Sequence, residues 1–269
     1  MPVFLILIAL AAPALAQHGD SPLVRALGIE DTLTQYRAEG CRKALALPDS
    51  PVRCIALRQR ITHAILLASI EASALIALLS SEEERADQAA GRLADRETRI
   101  ANTLTALALA VGAAGAVATG FTGNDKIGIG TGLTEAGLGL RLLTLRKKTF
   151  FSHPRNPLAN FWYGRRDAPA FTPRIWAYLD ETPDEEHPQL SVRAQLMRTW
   201  TDLHGIGATV PKEARRLTDL LMGTGGIYTR EQLRLRSDLL DQLAAVVGRM
   251  NDELRALLAE VQFFPEGSL

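Results

Sequence analysis

Paired histidines, cysteine clusters and an excess of one charge sign are all missing from this chain, and each absence removes a class of function. The five histidines, His18, His63, His153, His187 and His204, are scattered, none of them three or four residues from another, so no helix carries the paired imidazoles of a metal site. Two cysteines cannot build a four-thiolate zinc site, and their spacing is not C-x-x-C. Lys plus Arg and Asp plus Glu number 30 each, which leaves no net field to recruit nucleic acid or another polyanion. Gly128-x-Gly130-x-Gly132 has no strand before it and no Lys-Ser/Thr after it, so it does not read as a phosphate loop. Thr201-Asp202-Leu203-His204 sets a carboxylate near an imidazole, but no nucleophile is tied to them. No catalytic, cofactor-binding or metal-binding residue is assigned, and the expectation is a protein that is not an enzyme and carries no cofactor.

What is present starts with an address. Residues 1–16 hold a short apolar run, Pro13 and the small-x-small pattern Ala14-Leu15-Ala16 that signal peptidase reads. The run is too short to span a bilayer, so the expectation is a cleaved signal peptide and a periplasmic or secreted protein beginning near Gln17. Export makes Cys41 and Cys54 a disulfide by default. They flank the turn Leu47-Pro48-Asp49-Ser50-Pro51, so the bridge would staple a helix over about 22–46 to the start of a long second helix.

That second helix carries the main pattern. Ile61, Ile65, Ala68, Ala72, Leu75, Leu79, Ala86, Ala89, Leu93, Ile100 and Leu107 recur at alternating steps of four and three, interrupted at Glu82 and Arg96. The charges between 80 and 99 read as its solvated side. The seam then enters a charge-free stretch, 101–124, where Ala108, Gly112, Ala116 and Gly120 fall four apart. Gly128, Gly132 and Ala136 form a matching set after the turn. Glycine inside a helix costs up to about 1 kcal/mol relative to alanine, so this many of them need a return, and close packing of two antiparallel arms supplies one. Two readings of 101–145 follow, a tightly packed soluble hairpin tip or a hairpin that contacts a membrane. Glu135 and Arg141 weigh against the second.

Prolines 154, 157, 169, 173, 183 and 188 make 149–190 a Pro- and aromatic-rich irregular segment, too aromatic to be a linker. Trp162, Tyr163, Arg165, Arg166, Arg174 and Trp176 form a candidate partner surface there, against the plainer reading that the arginines pair with nearby acids such as Asp180. Thr172 is the expected cap of a short helix at Pro173, and residues 191–269 return to helices. One of these starts near Pro211 and stops before Gly223, and a last one of about 34 residues is opened by a Thr229/Gln232 capping box.

The sequence therefore predicts an all-α protein, an elongated antiparallel helical bundle or coiled-coil hairpin with a Gly-rich helical hairpin tip. Its domains would be the signal peptide at 1–16, a disulfide-bracketed hairpin at 17–148, the irregular segment at 149–190 and helices at 191–269. The function it points to is structural: an exported scaffold or assembly component of a bacterial cell envelope that meets envelope proteins or copies of itself through helical packing, without nucleic acid. The alternative is an envelope protein whose hairpin at 101–145 anchors it in a membrane or forms an oligomeric pore.

Overall fold

A computed structural model of the chain describes residues 21–44, 51–122, 147–182 and 190–262. Among them are nine helices and two strands: α1 (Pro22–Leu27), α2 (Glu30–Ala38), α3 (Cys41–Ala44), α4 (Val52–Thr122), β1 (Lys148–Ser152), α5 (Pro157–Tyr163), α6 (Pro173–Asp180), α7 (Val192–His204), α8 (Lys212–Met222), β2 (Gly225–Thr229) and α9 (Arg230–Gln262). The expected signal peptide lies outside the described residues. Two compact units share these elements, and α4, α7 and α9 contribute to both.

The first unit joins residues 1–76, 166–198 and 245–269. Its core takes Leu23 and Val24 from α1, Leu33 and Tyr36 from α2, Ile61, Ile65 and Ala68 from α4, and Met250, Leu254 and Leu257 from α9. Where one helix over 22–46 is expected there are three short ones, because Gly28 and Gly40 sit at φ 65° and 59°, a left-handed conformation that ends a helix and that glycine adopts without a Cβ clash. The Tyr36 hydroxyl donates to the Val261 carbonyl, and Arg37 pairs with Glu260 at 2.8 Å, which ties α2 to α9. Cys41 and Cys54 form a disulfide, with Cα atoms 5.2 Å apart, that joins α3 to the first turn of α4. In α6, Thr172 caps the helix by accepting from the Ile175 N–H. Its hydroxyl also donates to Glu71, which pairs with Arg174 as well.

The second unit joins residues 77–165 and 199–244. Here β1 and β2 form an antiparallel ribbon in which Phe150 faces Ile227 and Phe151 faces Gly226. Alternation puts Phe151 and Tyr228 into the core and leaves Phe150 and Ile227 at 71 % and 64 % exposure. Gly225, at φ 138°, lets the end of β2 pass the Phe151 carbonyl, which a Cβ would meet at 2.7 Å. This ribbon lies in segments that the sequence pattern marks as irregular and as a helix stop. The capping box is present as expected: the Thr229 N–H donates to Gln232, and the Gln232 N–H donates back to the Thr229 hydroxyl.

The seam of α4 is buried at Ile61, Ile65, Ala68, Ala72, Leu75, Leu79, Ala86, Ala89 and Leu93. Its burial then thins while the helix continues. Ile100 and Leu104 are half-buried, and Leu107 is exposed.

Candidate functional site

Polar chemistry concentrates in the second unit, at the C-terminal end of α8. The last carbonyls of a helix have no partners within it. Gly223, in extended conformation, does not close α8 with a left-handed cap, so side chains do. The Tyr228 hydroxyl donates to the Leu220 carbonyl at 2.7 Å. Asn156 Nδ2 donates to the carbonyls of Leu221 and Gly223, both at 2.8 Å. Arg236 donates to the Leu221 carbonyl at 3.1 Å and to Asn156 Oδ1 at 3.1 Å. Asn156 stands in the N-cap position of α5 but makes no cap bond there, because its side chain is spent on α8. A cation at a helix C-terminus is also favoured by the helix dipole.

Around this knot, Arg236 and His153 are fully buried and Glu82 nearly so. Arg85 pairs with Glu82, and the guanidinium groups of Arg85 and Arg236 lie 5.5 and 6.0 Å from the centre of the Phe151 ring. Burial pulls the Arg236 guanidinium below its ordinary pKa, opposed by Tyr228 and Glu82. His153 Nε2 lies 2.7 Å from the Tyr228 oxygen. Because that hydroxyl already donates to Leu220, it accepts from His153, so the imidazole carries its proton on Nε2. Burial first, then Arg236 and Arg85, lower the His153 pKa to about 4, so the ring is neutral at pH 7. His153 Nδ1, Glu82 Oε2 and Arg236 Nε are buried without a partner among the described residues. Tyr228, Asn156 and Arg236 thus take up the carbonyls that end α8, which is the work of a helix cap.

The sequence-derived candidates are placed differently from one another. Ala108, Gly112, Ala116 and Gly120 all lie in α4 and, spaced by four, share one side of it. Gly128, Gly132 and Ala136 fall outside the described residues. Thr103 and Thr105 donate their hydroxyls to the Arg99 and Ala101 carbonyls within the helix, so this stretch meets its own polar needs. Leu107 and Leu109 are 51 % and 70 % exposed. By length and composition alone, a window within Val52–Leu107 is apolar enough to cross a membrane, and 28 % of it is buried.

The aromatic and arginine set divides between the two units. Trp162, Tyr163 and Arg165 belong to the second: Trp162 stacks on Trp200 at 6.3 Å and covers Gly207, and Arg165 lies 5.6 Å from the Tyr163 ring centre. Arg166, Arg174 and Trp176 belong to the first: Arg166 pairs with Asp180, Arg174 with Glu71, and Trp176 is buried against Phe171. The Cys41 and Cys54 sulfurs lie near the Glu39 carboxylate. They are bonded to each other, and Glu39 pairs with Arg53 at 2.8 Å.

The knot escaped sequence reading because its members come from α4, the segment between β1 and α5, α8, β2 and α9. Its one visible trace was Glu82, which breaks the apolar seam. No protein family, curated protein or solved structure matches the chain.

Proposed function

We propose that this is an exported, non-catalytic scaffold or assembly protein of a bacterial cell envelope, working through the part of α4 beyond Leu93. In this reading 101–145 is the Gly-rich tip of an antiparallel coiled-coil hairpin, and its small residues admit a second helix at close range, from the same chain or from another copy. The observation that carries it is the change along one helix. The seam is buried as far as Leu93, and α4 then continues to Thr122 with Leu107 and Leu109 exposed and no charged residue after Arg99. Apolar surface kept out of a core in this way marks a contact site. The N-terminal segment and the disulfide support export.

The second reading, membrane contact through 101–145, is favoured by the internally bonded threonines and the missing charges, and opposed by Glu135 and Arg141. An alkaline carbonate wash of membranes from cells making the processed protein, paired with its mass in solution, separates the two. Release into the wash as a multimer supports assembly. Retention in the membrane supports insertion, in which case Glu135→Leu should strengthen it. A released protein that is strictly monomeric and crosslinks to no envelope partner would remove both.

A further inference from the structure

Two residues interrupt the apolar seam of α4, Glu82 and Arg96. Glu82 belongs to the knot around Arg236, whereas Arg96 opens on a different feature of the second unit. Ala89, Arg92, Leu93 and Arg96 of α4 enclose, with Phe150 and Phe151 of β1, a cleft of about 80 Å³. Arg92 and Arg96 stand one helical turn apart and so share a side of α4. Both are exposed, and neither has an acid partner among the described residues. Glu97 is already engaged by Arg230 at 3.3 Å and by the Lys147 N–H at 3.2 Å.

The strand supplies a third donor. The His153 N–H donates to the Thr224 carbonyl, so alternation along the ribbon turns the amides of Thr149 and Phe151 toward β2 and those of Phe150 and Ser152 away from it. The outward carbonyl of Ser152 accepts from Arg85 at 3.1 Å, which shows that α4 runs along this outward edge. One to three turns beyond Arg85 come Ala89, Arg92, Leu93 and Arg96, which line the cleft together with Thr149, Phe150 and Phe151. Ala89 and Leu93 lie at its base, both almost fully buried, and its accessible apolar surface comes from the exposed Phe150 ring.

We propose that this cleft binds a carboxylate carried on a short aliphatic stem. The oxygens would take Arg92, Arg96 and the Phe150 amide, a set of charge-assisted donors suited to a planar anion, and the stem would lie over Ala89, Leu93 and the Phe150 ring. A free carboxylic acid and an acidic side chain of a partner peptide present the same chemistry. Beyond Leu93 the site uses only Arg96, and it takes nothing from 101–145, so it stands whether or not that stretch assembles.

The test is titration of the isotope-labelled full chain with butyrate, with acetate, with a blocked glutamyl dipeptide and with inorganic phosphate, followed by amide NMR. The expected result is a saturable shift of Phe150 and Leu93 with at least one carboxylate at millimolar concentration. In the double variant Arg92→Gln/Arg96→Gln affinity should fall at least about tenfold, and Phe150→Ala should weaken butyrate more than acetate. Tighter binding of the dipeptide assigns the cleft to a partner protein, and tighter binding of butyrate assigns it to a free acid. No saturable shift with any carboxylate, phosphate binding as tight as the best carboxylate, or unchanged affinity in the double variant would overturn the proposal. Because Arg92, Arg96 and Phe150 are all exposed, these variants should keep the wild-type spectrum elsewhere.

Discussion

The two stretches of α4 on either side of Leu93 share a helix and a small-residue-rich seam, yet they differ in what that seam meets. From Ile61 to Leu93 it is buried, and where a polar residue enters it, at Glu82, an arginine pairs with that residue. Past Leu93 the same alternation continues at Ile100, which is half-buried, and at Leu107, which is 51 % exposed. Pattern alone therefore states that a seam exists and leaves open what occupies it.

Substitutions on the two sides sharpen this contrast. The largest effect should come from the knot beside the buried stretch. Arg236→Ala leaves the Leu221 carbonyl and Asn156 short of donors in a closed space, and should cost about 4 kcal/mol in denaturant unfolding. Leu79→Ala, in the buried seam, should cost about 3 kcal/mol by removing packed methyl groups and leaving a cavity.

The third effect depends on pH. An unfolded His153 takes up a proton near pH 6.5, the folded one only near 4. Between those values the unfolded chain holds more protons, so stability is whole above about pH 6.5 and is lost as pH falls toward 4, by at most about 3 kcal/mol. The groups that face the ring are Tyr228 of β2, Arg236 of α9 and Arg85 of α4. His153→Gln should flatten the stability curve across that window, measured as the difference between the two proteins' unfolding midpoints. The smallest effect belongs to the exposed side: Leu107→Ala should change the stability of the separated protein by less than about 0.5 kcal/mol. A Leu107→Ala cost as large as that of Leu79→Ala would break the contrast.

What the sequence made legible was local. The seam, the Thr172 cap, the Thr229/Gln232 capping box and the helix beginning after Pro211 follow from spacing within one element, and they stand where spacing puts them. The disulfide was legible because two cysteines around a proline turn leave little choice. The ribbon was missed because its strands are five residues each and 73 residues apart in sequence, from Ser152 to Gly225, and the out-in pair Phe150-Phe151 is too short to separate from an irregular aromatic segment. Arg236 was missed for a related reason: on a helix rich in arginine nothing local marks the one that is buried. Trp176 reads in sequence as part of a surface with Trp162, and its burial against Phe171 leaves no local mark. Chemistry that depends on residues brought together from five elements leaves almost no trace in their order.

The most direct measurement of the central claim is the mass in solution of the processed protein beside a Gly112→Leu/Gly120→Leu variant, in detergent-free buffer. Large side chains at those positions on α4 would hold a second helix away. The wild type should be multimeric, and the variant should fall to a smaller species with its unfolding midpoint unchanged. A wild type that is monomeric and partnerless, or a variant that assembles as the wild type does, would contradict it.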